Sequence, residues 1–401
     1  MKKIFFLLLL GSLFSCSSET DKIIISSTKY VTKAYPEKAR IWDTITIEGN
    51  YLKSISQIRI NNRFVVPIEQ QENSIKFVIP PTIHNQKVNV EVLIGLSPVG
   101  RFSLDLIGTF PLETNFLVSD ENLRCIKMVS KDIAFVIADS KLCKTIDGGY
   151  NWTLIKDFKE SNLSSIFFIN ENQGWVATYR NSENIVHYTN DGGKSFNPVF
   201  EKTIVSQYIK EIYFSSPNRG YLLTSNGRIY ETNDNSNFDL KYEFPNSGNI
   251  RPPMFSYLSV FNNTLIASSY EAFTIIKKKN NFFDYTSFNK EVTNIQLIDE
   301  NQAYAIIGNQ LYFTEDINTN WNKTSDKLIG NFYFISKNNG IGTFSNPINN
   351  YEMILQTYDG GKNWTNKFTF ADRQNSQDID FYENVGLIVG MRGHIWKHIY
   401  E

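Results

Sequence analysis

Thr145-Ile146-Asp147-Gly148-Gly149-Tyr150-Asn151-Trp152 returns as Thr189-Asn190-Asp191-Gly192-Gly193-Lys194-Ser195-Phe196 and again as Thr357-Tyr358-Asp359-Gly360-Gly361-Lys362-Asn363-Trp364. Thr314-Glu315-Asp316-Ile317-Asn318-Thr319-Asn320-Trp321 is a weaker copy. Thr232-Asn233-Asp234 reaches its aromatic, Phe238, one residue early, and the stretch from Lys277 to Phe282 holds a decayed version. The shared Asp residues stand at 147, 191, 234, 316 and 359, so the spacing is 43 or 44 except for one gap of 82 that spans two units. A fixed internal period takes precedence over local secondary-structure signals, because it says that one supersecondary unit is being stacked.

Each unit has one grammar. Ile212-Tyr213-Phe214, Gly220-Tyr221-Leu222-Leu223 and Gly227-Arg228-Ile229-Tyr230 read as three strands, and the Asp turn leads to a fourth. Four strands in such a period are the signature of a β-propeller blade. Blades start near Leu123, Leu163, Tyr208, Phe255, Thr293, Gly330 and Ser376, which makes seven. The last blade ends at Gly390-Met391-Arg392-Gly393-His394-Ile395-Trp396 and lacks its fourth strand. A propeller has to close, so residues near Asn115 to Val118 are expected to supply that strand.

The turn pattern Ser/Thr-x-Asp-x-Gly-x-x-Trp resembles the Asp-box, or BNR repeat, and the resemblance covers residues 112–401. The Asp carboxylate can accept bonds from N–H groups of its hairpin, Gly takes a positive φ, and the aromatic folds back over the turn. In that family the turns lie on the outer rim. The resemblance therefore implies structural clips at Asp147, Gly149, Trp152, Asp191, Gly193, Phe196, Asp234, Asp316, Trp321, Asp359, Gly361 and Trp364. Asp-boxes occur in sialidases, in sortilin-type receptors and in photosystem-assembly-factor-like propellers. The Gly390-to-Ile395 pattern before the turn looks most like the last group, but fold does not fix function.

Residues 23–108 read differently. Thr44-Ile45-Thr46-Ile47 and Val88-Asn89-Val90-Glu91-Val92 alternate with period two, and Ile75 to Ile79 stops at Pro80-Pro81. About seven short strands with turn signals between them indicate a β-sandwich. Tyr35-Pro36, Asp43 to Leu52 and Phe77-Val78-Ile79-Pro80 resemble an immunoglobulin-like IPT/TIG module, a type that often serves as a spacer. The fold class is thus all-β, an Ig-like sandwich followed by a seven-bladed propeller.

Residues 1–15 read as a signal peptide: Lys2 and Lys3 precede an apolar run, Ile4 to Leu10, too short to span a bilayer. Leu13-Phe14-Ser15-Cys16 resembles the bacterial lipobox, which implies a lipid on Cys16 and a polar tether over 16–22. Ser17 lacks the Asp of an inner-membrane retention signal, and Glu19 and Asp21 loosely resemble a surface-export tag. The expected location is the outer membrane, exposed at the cell surface.

The 401 residues carry 40 Lys+Arg against 41 Asp+Glu, and removal of residues 1–15 leaves 38 against 41. Without a basic surplus, nucleic-acid binding is excluded. A sialidase-like glycosidase would need three converging Arg, a Tyr–Glu nucleophile pair and an Asp acid. The nearest match to the sialidase Phe-Arg-Ile-Pro segment, Ile250-Arg251-Pro252-Pro253, follows the third repeat instead of preceding the first, and Tyr270-Glu271 on a strand would point to opposite faces. No catalytic residue and no cofactor is assigned. His394 and His398 on one strand would lie roughly 13 Å apart, too far to share a metal. Cys125 and Cys143 fall on first and third strands, roughly 9.5 Å apart, so two free, buried thiols are expected.

What remains is binding. Loops at one end of a propeller surround its channel, and here they contain Arg180, Arg251, Tyr270, Arg373 and Arg392. The leading expectation is a lipid-anchored, non-catalytic protein whose propeller mouth captures a glycan. The alternative is an envelope assembly or adhesion factor whose partner is a protein.

Overall fold

The computed structural model describes residues 30–83, 85–112, 121–204, 207–244, 254–270, 274–279, 282–288, 290–346, 351–370 and 376–400. The chain divides into two compact units, the second holding everything from Leu106 onward. Among the described residues there is no α-helix.

The first unit is a sandwich of two antiparallel sheets. One orders Val31–Tyr35, Thr44–Gly49, Ser74–Val78 and Glu69–Gln70; the other orders Lys38–Ala39, Ser97–Leu106, Lys87–Ile94, Gln57–Ile60 and Arg63–Val65. Period-two alternation buries Ile45, Ile47, Ile75, Phe77, Val88, Val90, Val92, Phe102 and Leu104 between them.

The second unit is a seven-bladed propeller, seven sheets of four antiparallel strands. The innermost strands are Leu123–Met128, Asn162–Phe168, Ile209–Phe214, Phe255–Phe261, Val292–Leu297, Phe332–Phe334 and Ser376–Tyr382. Each touches the next, and the seventh touches the first, so the ring closes. Closure comes from Gly108–Pro111, which pairs antiparallel with Ile395–Ile399 as the outer strand of blade 7. The segment expected to do this, 115–118, lies outside the described residues. By sequence Gly108–Pro111 falls at the boundary between the sandwich, 23–108, and the propeller, 112–401, yet Phe110 is fully buried and Thr109 Oγ1 bonds His398 Nδ1 at 2.8 Å.

The cores lie between blades. The second residue of a second strand stacks face to face on the last residue of the next blade's innermost strand: Phe135 on Phe168 at 3.6 Å, Trp175 on Phe214 at 3.6 Å, and Tyr304 on Phe334 at 3.8 Å. Such rings bury some 150–250 Å² each, so blade-on-blade stacking is the main source of hydrophobic stabilisation here.

The Asp turns connect third strands to outer strands. In blade 6, Asp359 Oδ1 accepts the Asn363 N–H at 2.9 Å, Oδ2 accepts Asn363 Nδ2 at 2.7 Å, and Trp364 Nε1 donates to the Gly361 carbonyl at 3.0 Å. Asp147 and Asp191 repeat the arrangement with Asn151 and Ser195. The second glycine is required twice over. Gly193 and Gly361 have φ of 91° and 83°, and an added Cβ would lie 2.5 Å from Ile155 and 2.4 Å from Leu311, both on the preceding blade. Asp234 and Asp316 clip shorter turns, onto Ser236 and Asn237 and onto Asn318. Blade 4, whose turn is decayed, instead buries Lys278, which donates to Glu231 and to the Tyr221 hydroxyl of blade 3, both at 3.1 Å.

Candidate functional site

The innermost strands share a six-residue pattern. Leu123 to Met128, Leu163 to Phe168, Ile209 to Phe214, Phe255 to Val260, Val292 to Leu297, Ile329 to Phe334 and Ser376 to Phe381 align without gaps. In six of the seven a β-bulge falls between the first and third positions. A bulge inserts one unpaired residue and re-aims the side chains after it. The fourth and sixth positions, such as Ile126 and Met128 or Ile212 and Phe214, are buried, except for the half-buried Leu258 of blade 4. By alternation the third and fifth turn the other way, toward the channel.

Two layers result. The third positions are Cys125, Ser165, Glu211, Tyr257, Asn294, Asn331 and Asp378; the fifth are Lys127, Phe167, Tyr213, Ser259, Gln296, Tyr333 and Asp380. Innermost strands are sheet edges, and their outward N–H groups need acceptors. Side chains of one blade supply them to the next. Ser165 Oγ accepts the Ile212 N–H at 3.2 Å, Ser259 Oγ that of Leu297 at 2.9 Å, Gln296 Oε1 that of Phe334 at 2.8 Å, and Asp378 Oδ2 that of Ile126 at 2.9 Å. Asp380 Oδ2 accepts both the Met128 N–H at 2.7 Å and Lys127 Nζ at 2.9 Å.

A cavity of about 390 Å³ occupies the channel beside blades 7, 1, 2, 3 and 4, and reaches the surface where the innermost strands begin, next to the exposed Arg124. Tyr179 and Tyr208 stack at its mouth, 4.9 Å apart, and Lys210 lies beside them. Deeper lie Cys125, Lys127, Glu211, Tyr257, Asp378 and Asp380. Burial pushes the Glu211 carboxyl up to about 8; the neighbouring Lys210 holds it back and Asp378 adds to the rise. Burial likewise raises Asp378 to about 7, opposed by the Ile126 N–H and reinforced by Asp380. Burial works against the Lys127 ammonium, yet Asp380 outweighs it and keeps that group charged. Burial also raises the Cys125 thiol and the Tyr257 and Tyr333 hydroxyls.

Of the loop residues expected to form the mouth, Arg180 ends the second strand of blade 2, and Tyr270 and Arg392 lie on the turns after the second strands of blades 4 and 7, all at the same end as the cavity mouth. These blades are not neighbours, and none of the three residues lines the cavity. Arg180 pairs with Glu160, Tyr270 is 48% exposed, and Arg392 is exposed with φ 56°. Tyr270 is in a turn, not on the strand assumed for the Tyr270-Glu271 pair. Cys16, Arg251 and Arg373 lie outside the described residues. Both cysteines are free, but Cys125 is half-buried against the cavity, where the sequence suggested a core position; Cys143 is buried. His394 precedes the strand that holds His398, and His187 bonds the Thr178 hydroxyl at 3.1 Å. Burial lowers His187 to about 4 and His398 to about 3, so both are neutral near pH 7. No group of three metal-ligating side chains occurs among the described residues.

Residues 30–105 match the family model of the IPT/TIG domain. No curated protein matches the chain. Among solved structures, YCF48 bound to D1 peptide is similar with a TM-score of 0.60 and 16% identity, over 74% of this chain and 99% of that one. YCF48 from Cyanidioschyzon merolae gives 0.59 and 16%, over 73% and 98%. A catalytically inactive virginiamycin B lyase from Staphylococcus aureus with quinupristin gives 0.57 and 13%, over 73% and 100%. At these identities the likeness is one of fold: the propeller is shared.

Proposed function

We propose that this chain is a non-catalytic binding protein of the bacterial envelope, held by a lipid on Cys16, whose propeller receives a charged segment of a partner protein at the mouth of its channel. The observation that carries the reading is the cavity wall, which places Arg124, Lys127 and Lys210 beside Glu211, Asp378 and Asp380. Charges of both signs suit charged side chains, and complementary charge is what gives such contacts their specificity. A neutral sugar would make no use of the cations Lys210 and Arg124 at the mouth. The similar propeller YCF48 has been solved with a peptide, which agrees in ligand class. The IPT/TIG module serves as the spacer between lipid and propeller.

One observation favours a glycan as the second reading: the Tyr179–Tyr208 stack is a flat aromatic platform at the mouth. Surface plasmon resonance of the full chain against charged peptides and polysaccharides separates the two. Peptide binding lost on Lys210→Glu, with polysaccharides inert, is the expected result. Polysaccharide binding lost on Tyr179→Ala selects the glycan. Binding of neither class overturns the reading of the mouth as a ligand site.

A further inference from the structure

In the upper layer of the channel, Asp378 is partly engaged, its two oxygens accepting the N–H groups of Ile126 and Ile379, each at 2.9 Å. Glu211 differs. It stands in a position where other blades bond the next blade's N–H, but its one hydrogen-bond partner is the Ser165 hydroxyl of blade 2, and among the described residues neither a backbone donor nor a cation within ion-pair distance meets it. Lys127 is committed to Asp380, while Lys210, at the bulge just before Glu211, lines the same cavity and favours the ionised Glu211 carboxyl without forming an ion pair with it. Blades 3 and 7 are three steps apart around the seven-blade ring, as far as two blades can be, so the two carboxyls face one another across the cavity. Tyr257 of blade 4 lies in the same layer within electrostatic reach of both, its hydroxyl donating to Asn331 Oδ1 of blade 6 at 3.5 Å.

We infer that this upper layer binds a primary ammonium group, entering from the mouth, with Glu211 as its counter-ion and Asp378 and Tyr257 as further acceptors. The inference rests on the proposed reading of the mouth as the binding face, and names the chemical group recognised there. An anion would face two carboxyls. A divalent metal would lack its ligands, since no three metal-ligating side chains converge among the described residues. An ammonium is compact, donates three hydrogen bonds and needs only one full counter-charge. The groups facing the site are Lys210 on the same strand as Glu211, Cys125 and Lys127 from blade 1, Ser165 from blade 2, Tyr257 from blade 4, Tyr333 from blade 6 and Asp380 beside Asp378. Because the two carboxyls hold protons near neutrality without a ligand, a bound cation displaces them, and association releases protons.

The test is titration calorimetry of the full chain at about pH 7.5 in two buffers of different ionisation enthalpy, with hexylammonium and its neutral isostere hexan-1-ol as probes. Hexylammonium should bind at least about tenfold more tightly, release protons, and lose about tenfold or more in affinity with Glu211→Gln. Nα-acetyl-lysine methylamide and alanine methylamide then tell a lysine side chain from a chain N-terminus as the natural source. Equal binding of hexylammonium and hexanol, no proton release, or unchanged affinity in Glu211→Gln overturns the ammonium site. If charged peptides still bind and Lys210→Glu still abolishes it, the mouth reading survives that failure; if nothing binds, both fall. A melting curve of Glu211→Gln that matches the wild type in cooperativity keeps an unfolded variant from passing as a positive.

Discussion

Asp380→Ala tests the idea that the blades are stitched together through channel side chains. The Asp380 side chain is 8% exposed and closes the ring between blades 7 and 1 by holding the Met128 N–H and the Lys127 ammonium. Removing one partner of a buried ion pair costs about 3–5 kcal/mol, and an orphaned buried N–H about 1–3 kcal/mol. The two do not add in full, because the Lys127 side chain is 26% exposed and can recover water from the cavity. A net loss of about 3 kcal/mol is the reasonable expectation. A unit of about 300 residues unfolds with an entropy near 0.6 kcal/mol/K, so the propeller transition should fall by about 5 °C. Asp380→Asn keeps an acceptor for Met128 but loses the charge, and should lose about half as much. Asp380→Asn with Lys127→Met removes the unpaired cation and should recover part of the loss. Scanning calorimetry of the propeller transition reads all three. A shift under about 1 °C for Asp380→Ala would refute the stitching argument, since it would mean that blade stacking alone holds the ring.

Two other perturbations separate stability from binding. The Glu211 carboxyl has a folded pKa of about 8, above its ordinary 4.5, so the folded state holds its proton through that window and loses stability as pH rises through it. Glu211→Gln should therefore melt with the wild type near about pH 4 and above it near about pH 8.5, and the reverse order would refute the buried-acid assignment. Asp359→Ala removes the bonds to Asn363 in a turn far from the cavity mouth, and should cost about 1–2 kcal/mol in thermal unfolding with no change in ligand affinity.

The repeat was legible because its turns need special residues. Thr, Asp, Gly and Trp are each held by a specific local bond or by a φ that few residues adopt, so the pattern survives in the letters and the period can be counted. The closing strand was harder. Gly108-Thr109-Phe110-Pro111 carries turn formers at both ends, and what makes it a strand is its partner Ile395–Ile399, nearly three hundred residues on, which no local rule detects. The channel was nearly invisible for a different reason. Its wall is defined by apolar fourth and sixth positions, as in Ile126 and Met128 or Ile379 and Phe381, while the third and fifth vary from Cys to Lys to Tyr. Search for chemical motifs favours the loops, and so it leads to Arg180, Tyr270 and Arg392, which the ring holds on separate blades. Aligning the innermost strands on Ile126, Ile166, Ile212, Leu258, Ile295, Phe332 and Ile379 would have brought Glu211 and Asp378 into one layer from sequence alone. In a propeller the apolar register identifies the wall, and the residues that depart from it are the ones left to meet a ligand.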